Sequence, residues 1–402
     1  MTWKLFWLAF RVILATVIVS ASMLAGAVCV VPVPDSWIQL SVSPSPIVLA
    51  GAAVAGRAVY VAGGLYSYNP PVSKGISFVA YFPSNDSWKI LPSMPTPRQT
   101  LGVVAIQHKI YGIGGDVIGG ISNKTEVYDP SSNLWTTMSP MPVATSGFAY
   151  SSLNSTIYVM GGVDSNGVTR AVWAFDTMSN SWSVKAPMPG DLPATGGANG
   201  AAVSISGKIY VAPSNAHGVA TSLVYDIASD RWTDSWNGPA FTNPSGAALS
   251  MDFYALTAVE NRVFMIGGLD ADSQTGATKY NFAYDTVTGV WTRWTDMPTA
   301  RYGLVAVTVD GIIYAIGGAG SCDPTHTSGS CIANEAYTPA EVANPGPPQS
   351  SPIGGIVLWI IGLTVAAAGV TSIGLLYLYK RRHMNIDGEN GHQNVHGGSS
   401  NR

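Results

Sequence analysis

The chain has 402 residues, of which 47% are hydrophobic and only 11% are charged. This composition, together with 44 glycines, is typical of a tightly packed all-β protein with flanking membrane segments. Between residues 35 and 352, 14 Lys and Arg residues stand against 21 Asp and Glu residues, a net charge of −7. This negative balance argues against nucleic-acid binding, which needs a positive surface.

Residues 1–31 have the composition of a targeting segment. Val12 to Val31 carry no charge, follow Lys4 and Arg11, and include the small residues Ala25-Gly-Ala27. A basic start followed by an apolar run predicts a signal peptide, and the same segment also fits an N-terminal membrane anchor that is not cleaved.

From residue 35 to residue 338 the chain consists of repeated units. A tryptophan is followed by a proline seven residues later in six places, which are Trp37/Pro44, Trp88/Pro95, Trp135/Pro142, Trp182/Pro189, Trp232/Pro239 and Trp291/Pro298. An aromatic residue stands seven positions before five of these tryptophans, at Tyr81, Tyr128, Phe175, Tyr225 and Tyr284. Paired glycines end an aliphatic run upstream, at Gly63-Gly64, Gly114-Gly115, Gly161-Gly162, Gly267-Gly268 and Gly317-Gly318. Each unit predicts four short strands separated by turns.

The combination of Gly-Gly, Tyr-x6-Trp and Met-Pro after the Trp resembles the kelch repeat over roughly residues 36–338. The resemblance implies an all-β fold, a six-bladed kelch-type β-propeller in which each repeat forms one blade. Blade 4 departs from the pattern, because Ala212-Pro213 replaces the glycines. Its second strand or the following loop is therefore expected to be irregular.

The N-terminal motif is predicted to close the ring. The last unit, from Arg301 to Tyr337, lacks a Trp-bearing fourth strand, whereas Asp35-Ser-Trp-Ile-Gln-Leu40 has a fourth strand with nothing before it. We expect residues 36–42 to complete the sixth blade, which removes an exposed sheet edge and joins the two ends of the ring.

Candidate ligand-binding residues fall in the loops after second strands and between fourth and first strands. In kelch propellers these loops share the face that commonly binds partners, so the resemblance implies a protein or carbohydrate ligand there. The candidates are Arg98, Arg301, Tyr66, Tyr68 and His217. Arg and Tyr suit polar ligands such as sugars or acidic peptides. The alternative for the two arginines is hydrogen bonding to carbonyls of neighbouring blades.

Cysteines and sequons indicate an extracytoplasmic domain. Cys322 and Cys331 lie in the long loop after the last glycine pair and are predicted to form a disulfide. Three tripeptides match the N-glycosylation sequon, at Asn85, Asn123 and Asn154.

The C-terminal part predicts a membrane anchor. Residues 339–352 are a Pro/Gly/Ser-rich linker, and the 27 residues of 353–379 carry no charge, enough for a transmembrane helix. Lys380-Arg-Arg-His383 follows at once and starts a short polar tail, residues 380–402. Basic residues favour the cytoplasmic side, so the propeller is predicted outside the cell membrane and the C-terminus inside. The chain crosses once, or twice if the N-terminal segment is not cleaved.

The sequence favours a binding module over an enzyme. Three histidines of the predicted propeller, His108, His217 and His326, fall in separate loops, and we expect no metal and no cofactor. The leading interpretation is a membrane-anchored propeller that binds a protein or glycan at the cell surface.

The alternative is a carbohydrate-acting enzyme on a kelch scaffold, related in chemistry to sugar mutarotases or copper oxidases. Its acid/base pair would come from carboxylates such as Asp116, Asp164 and Asp191. A buried carboxylate in the channel near Arg98 and Arg301 would favour this enzyme, and a channel without one would favour the binding module.

Overall fold

The computed structural model describes seven segments of the chain, which are residues 34–64, 78–189, 202–211, 222–233, 251–270, 276–320 and 331–340. Every element with bounds in these segments is a β-strand, and the strands form six four-stranded sheets and four two-stranded ribbons. No helix within these segments is both long and apolar enough to span a membrane. The predicted N-terminal segment, the transmembrane helix at 353–379 and the tail lie outside the described residues.

Strands are numbered along the chain from β1 (Ser36–Gln39). Blade 1 contains β2 (Gly51–Ala55), β3 (Ala58–Ala62), β4 (Phe78–Phe82) and β5 (Ser87–Ile90). Blade 2 contains β6 (Gly102–Ile106), β7 (Lys109–Ile113), the ribbon β8 (Asp116–Val117) and β9 (Gly120–Ile121), then β10 (Thr125–Asp129) and β11 (Leu134–Thr137). Blade 3 contains β12 (Ala149–Leu153), β13 (Thr156–Met160), the ribbon β14 (Val163–Asp164) and β15 (Gly167–Val168), then β16 (Val172–Asp176) and β17 (Ser181–Lys185).

The remaining blades follow the same plan. Blade 4 contains β18 (Ala202–Ile205), β19 (Lys208–Val211), β20 (Leu223–Asp226) and β21 (Arg231–Thr233). Blade 5 contains β22 (Met251–Asp252), β23 (Ala255–Val259), β24 (Arg262–Ile266), β25 (Leu269–Asp270), β26 (Asn281–Asp285) and β27 (Val290–Arg293), with β22 and β25 paired as a ribbon. Blade 6 contains β28 (Arg301–Tyr302), β29 (Val305–Val309), β30 (Ile312–Ile316), β31 (Ala319–Gly320) and β32 (Asn334–Thr338), with β28 and β31 paired as a ribbon.

The predicted six-bladed propeller is confirmed. The first strands β2, β6, β12, β18, β23 and β29 each contact the first strands of both neighbouring blades, which makes a closed ring. One hydrophobic cluster fills the space between each pair of neighbouring blades. Middle strands such as β3 are buried along their whole length, whereas outer strands such as β5 are partly exposed. A sheet buried on both faces explains why the middle strands are continuous apolar runs.

The predicted closure by the N-terminal strand is also confirmed. β1 pairs antiparallel with β32, in register from Ser36↔Thr338 to Gln39↔Glu335. The strand is shorter than the predicted span of 36–42, but two more backbone amides, those of Leu40 and Ser43, still bond carbonyls of the β32 segment. The irregularity predicted after the second strand of blade 4 falls at Ala212-Pro213, outside the described residues.

The paired glycines let the next blade's backbone approach closely. A Cβ at Gly114 would lie 2.6 Å from the Thr145 carbonyl oxygen, and one at Gly267 would lie 2.5 Å from that of Arg301. The amide of the second glycine donates to the same carbonyl in four blades, with N···O distances of 2.6–3.0 Å, from Gly64, Gly115, Gly268 and Gly318. Each first glycine also has φ between +53° and +78°, a left-handed conformation that side chains disfavour.

A second contact between blades explains the Tyr-x6-Trp spacing. The indole N–H of the repeated Trp in one blade donates to a backbone carbonyl of the preceding blade. The accepting residue stands four positions after the Trp of that preceding blade. The pairs are Trp37–Thr295, Trp88–Ser41, Trp135–Pro92, Trp182–Ser139 and Trp232–Ala186. The residue that supplies this carbonyl also donates its backbone amide to the side chain of the Asp or Asn two residues before the Trp. The acceptors are Asp35, Asp86, Asn180 and Asp230. We call this pair of contacts the Trp/Asx clamp. The hydroxyl of the repeated tyrosine donates to a side-chain oxygen of the Asp or Asn two residues before the Trp and fixes its position. Tyr81, Tyr128, Tyr225 and Tyr337 make this bond.

The glycine contact predicts a specific loss of stability. Gly114→Ala forces a methyl group against the Thr145 carbonyl and also keeps a left-handed backbone, at φ +53°. Gly119→Ala is the matched control, because Gly119 has φ +86° but open space around its Cβ position. Denaturant unfolding should show a loss of about 1–2 kcal/mol for the control and about 1–3 kcal/mol more for Gly114→Ala. Equal losses in the two variants would contradict the close approach of the backbones.

Acid is expected to weaken the Trp/Asx clamps and turns. Hydrogen bonds from the Tyr225 hydroxyl and the Ala186 amide hold the pKa of Asp230 below its usual value. Bonds from Ser131 lower the pKa of Asp129 to about 2. A carboxyl group with a depressed folded pKa stabilises the fold above its unfolded pKa of about 3.9, and the contribution is lost as pH falls through the folded value. The melting temperature should therefore be constant above about pH 5 and fall between about pH 4 and pH 2.

Asp230→Asn tests this assignment. Asparagine keeps the accepting oxygen and already occupies the same position in blades 2 and 3, at Asn133 and Asn180. Melting curves of the variant should show a smaller loss of stability in acid than those of the unsubstituted chain. The same acid dependence in both proteins would show that Asp230 does not contribute.

Candidate functional site

The two faces of the propeller differ in construction. We call the face formed by the loops after second strands and the connections from fourth to first strands the loop face. The opposite face carries the tight turns between first and second and between third and fourth strands, and we call it the hairpin face. On the loop face, the bridges Gln99–Asp116 and Ser146–Val163 and the ribbons β22–β25 and β28–β31 tie the two kinds of loop together within one blade.

A ring of backbone hydrogen bonds surrounds the mouth of the central channel on the loop face. Its members each lie two residues before a first strand, and we call them the rim: Leu49, Thr100, Gly147, Phe253 and Gly303. Four of the five amides donate to the carbonyl of the rim residue in the preceding blade, with N···O distances of 2.7 Å (Gly303–Phe253), 3.0 Å (Leu49–Gly303), 3.0 Å (Thr100–Leu49) and 3.2 Å (Gly147–Thr100). The rim thus links blades 5, 6, 1, 2 and 3, and its position in blade 4 falls outside the described residues.

Three rim residues adopt a backbone conformation that side chains disfavour. Leu49, Thr100 and Phe253 have φ of +54°, +51° and +53°, and the two rim glycines have similar values. A left-handed residue with a side chain costs about 1–2 kcal/mol, so the rim hydrogen bonds must offset this cost. Such strain is often found at functional sites.

The two halves of the rim differ in chemistry. On the side of blades 5, 6 and 1, the half-buried rings of Phe253 and Tyr302 stand edge to face at 6.2 Å, and Leu49 packs in the same cluster as Tyr302. On the side of blade 2, the Thr100 hydroxyl donates to an oxygen of Asp116 at 2.8 Å. The side-chain oxygen of Gln99 beside it is buried without a hydrogen-bond donor. The mouth therefore offers an aromatic half and a polar half.

Arg98 is buried inside blade 2, which differs from the ligand-facing position that the sequence predicted. Its guanidinium group has no exposed surface and pairs with Glu126 at 2.8 Å. Further N–H groups donate to the carbonyls of Gly112, Gly114 and Lys124 at 2.8–3.1 Å. The side chain therefore holds the connection from blade 1 against blade 2. This agrees with the alternative stated for the two arginines, which was hydrogen bonding to carbonyls of neighbouring blades.

Arg301 repeats this arrangement in blade 6. It is fully buried, pairs with Glu335 at 2.6 Å and donates to the Gly317 carbonyl at 2.8 Å. A threonine two residues before each arginine donates to the other carboxylate oxygen, from Thr96 to Glu126 and from Thr299 to Glu335. Burial lowers the pKa of both guanidinium groups, and the paired carboxylates oppose this shift.

The sequence carried a signal for the two glutamates, which residue-by-residue reasoning missed. Glu126 and Glu335 stand two residues before the repeated tyrosine only in the two blades that also have an arginine after Met-Pro. In blade 3, Thr145 replaces the arginine and Trp173 replaces the glutamate. Within this one chain, the glutamate is therefore present in the blades that have the arginine and absent from the blades that lack it.

The structure describes only some of the other predicted site residues. Tyr66, Tyr68 and His217 lie outside the described residues, as do Asp191 and Cys322. Cys331 is almost fully buried at the start of the β32 segment, and its disulfide with Cys322 stays a prediction. Among the sequons, the exposed residues Asn85 and Asn154 lie in turns of the hairpin face, and the half-buried Asn123 donates to the Met141 carbonyl.

The central channel is a cavity of about 390 Å³ lined by all six first strands. None of its described lining residues carries a formal charge. Of the predicted acid/base candidates, Asp116 accepts a bond from Thr100, and Asp164 accepts the amide of Asn166 on a ribbon. Within the described segments, no group of three or more His, Cys, Asp or Glu could hold a metal ion.

The buried ion pair predicts strong coupling between its two residues. Arg98→Met leaves the Glu126 carboxylate buried without its partner and should cost about 3–5 kcal/mol in denaturant unfolding. The double variant Arg98→Met/Glu126→Leu removes both charges and should recover most of that loss. Arg57→Met is the matched control, because Arg57 pairs with Asp310 at the surface and its loss should be small. Additive losses at Arg98 and Glu126 would exclude the coupling.

A protein-family model, the KLHDC2/KLHL20/DRC7 Kelch-repeats domain, matches residues 49–268. No curated protein sequence matches the chain. The matched segment is more than half of the chain and runs from the rim residue before blade 1 to the glycine pair of blade 5. The blades beyond it repeat the same glycine, Trp/Asx and ion-pair contacts. The chain therefore belongs to the KLHDC2/KLHL20/DRC7 family of kelch-repeat domains.

Proposed function

We propose that this chain is a membrane-anchored kelch propeller that binds a protein partner with its loop face outside the cytoplasm. The family assignment supports an interaction module, since kelch propellers are generally binding scaffolds. The rim is the observation that favours the loop face over the hairpin face as the binding surface. There Leu49, Thr100 and Phe253 are held in a strained conformation around the channel mouth.

The chemistry of the rim favours a protein over a glycan. Half-buried aromatic residues beside hydrogen-bonding groups are typical of the centre of a protein interface. Phe253 and Tyr302 supply the aromatic surface, and Asp116 with Gln99 supplies the polar groups. A glycan ligand remains the alternative, and the test below separates the two.

The positions of the chain ends support an anchored propeller with an accessible loop face. The Asp35 amide donates to the Thr338 carbonyl at 2.9 Å, so the start of β1 and the end of β32 lie side by side on the hairpin face. An anchor in the segment before β1 or after β32 would hold the propeller by that face. Glycans at Asn85 and Asn154 would also lie on the hairpin face and leave the rim unobstructed.

A carbohydrate-acting enzyme has less support. The buried carboxylates nearest the two arginines are Glu126 and Glu335, and each is held in an ion pair inside a blade. They are not among the described residues that line the channel. A reaction in the channel would need an acid/base group that the described lining does not supply.

Site-specific photo-crosslinking on intact cells tests the proposal. A photoreactive phenylalanine at Phe253 of the full chain should capture a partner, and the same residue at the exposed hairpin-face position Val287 should not. Tyr302→Ala should weaken this capture by roughly tenfold or more, because aromatic residues at interface centres contribute most of the affinity. Identical adducts from both positions, or no change with Tyr302→Ala, would contradict binding at the rim.

Two further readouts complete the experiment. Labelling by a membrane-impermeant reagent and resistance to alkaline extraction should show that the chain is anchored with the propeller outside. A chain recovered in the soluble fraction would contradict the anchor. Loss of the adduct after enzymatic removal of cell-surface glycans would identify a glycan as the ligand.

A further inference from the structure

The channel has the size of a small-molecule site. Its volume of about 390 Å³ is at the lower end of the range of about 300–1,000 Å³ that ligand sites occupy. The described lining comes only from the first strands, at residues of β2, β6, β12, β18, β23 and β29. One ligand of monosaccharide size fits in this space and leaves room for bound water.

Polar groups of two kinds face this cavity. Each first strand pairs with a neighbour on one side only, so its other edge turns backbone N–H and C=O groups toward the axis, and some of these groups already bind the Ser204 and Tyr150 hydroxyls. Hydroxyl groups add to them on blades 3, 4 and 6, at Ser152, Ser204 and Thr308. Buried backbone groups without a partner are costly, so the strand edges favour water or another polar molecule in the channel.

The hydroxyl groups are positioned to bind. The Ser204 hydroxyl donates to the Ser152 carbonyl at 2.8 Å, which leaves the Ser204 oxygen free to accept a bond from a ligand. The Thr257 and Thr308 hydroxyls stand 2.8 Å apart and bridge blades 5 and 6. Apolar side chains line the channel between these groups, among them Val103 and Ala105 on blade 2 and Leu256 on blade 5. A channel lined by both hydroxyl and apolar groups matches a sugar ring, which has hydroxyl groups and C–H faces.

Tyr150 closes the channel toward the loop face. It is the second residue of β12, and its hydroxyl meets backbone groups of Val103 in blade 2 and Ala52 in blade 1. Gly102 makes room for the ring, since a Cβ there would lie 3.3 Å from two Tyr150 ring atoms. Burial raises the pKa of Tyr150 to about 12, although those backbone groups lower it, so the hydroxyl is neutral at physiological pH.

Because the described lining carries no charge, the channel favours an uncharged ligand over an ion. An ion in this channel would lose its hydration without gaining a counter-ion from these walls, which costs several kcal/mol. An uncharged molecule with many hydroxyl groups pays no such penalty and can satisfy both the strand edges and the serine and threonine side chains.

We propose that the channel is a binding site for one uncharged polyol of monosaccharide size. Ser152, Ser204 and Thr308 bind its hydroxyl groups, the apolar side chains of the lining pack against its C–H face, and Tyr150 forms the end of the site nearest the loop face. This site is separate from the rim and does not depend on the protein partner proposed above.

Direct binding measurements on the purified full chain test the proposal, with D-glucose, D-galactose, D-mannose and myo-inositol as probes. Calorimetry is preferred to thermal shifts, because sugars stabilise most proteins by exclusion from their surfaces. At least one probe should bind saturably, and the charged analogues galacturonate and glucosamine should bind at least about tenfold more weakly. No saturable binding, or equal binding of the charged analogues, would mean that the channel holds water alone.

Variants locate the binding in the channel. Ser152→Leu replaces a hydroxyl group of the site with a larger apolar side chain and should abolish binding, whereas Ser132→Leu, in an exposed turn of the hairpin face, should leave the Kd unchanged. Thr308→Val removes one hydroxyl group at constant shape and should weaken binding about fivefold. If Ser152→Leu does not fold, Thr308→Val decides alone, and an unchanged Kd in that variant would overturn the proposal.

Discussion

The whole fold depends on backbone groups of one blade being bound by the next blade. A four-stranded sheet cannot bury both of its faces alone, so each blade needs two neighbours. The neighbours are joined at three distances from the axis, by the rim, by the glycine pairs and by the Trp/Asx clamps. Because these contacts use main-chain atoms, they tolerate very different side chains between the repeated positions.

The same fact explains which parts were predictable. The glycine pairs and the Tyr-x6-Trp spacing each have a fixed geometric task, so they recur in the sequence and predicted six blades. Closure by β1 followed from counting which unit lacked a Trp and which Trp lacked a unit. The rim gave no such signal, because Leu49, Thr100 and Phe253 share a backbone conformation and not a residue type.

The arginines show a different limit of sequence reasoning. Arg98 and Arg301 were placed on the correct connections, but their burial depended on Glu126 and Glu335, which lie 28 and 34 residues further along the chain. A charged residue becomes an internal one only when its partner is present in the folded blade. The two ion pairs stand in blades 2 and 6, where they fix the connection from blade 1 to blade 2 and the connection from blade 5 to blade 6.

The pairing of β1 with β32 has a consequence for biosynthesis. The strand that completes the ring is made before every other strand of the propeller, whereas its partner strand is made about 300 residues later. At a synthesis rate of about 5–20 residues per second, β1 waits on the order of 15–60 seconds with its apolar side chains and open edge exposed. Five blades can stack during that time, but the ring cannot close until the ribosome has passed Thr338. The nascent chain is therefore most prone to wrong strand pairing just before β32 is made.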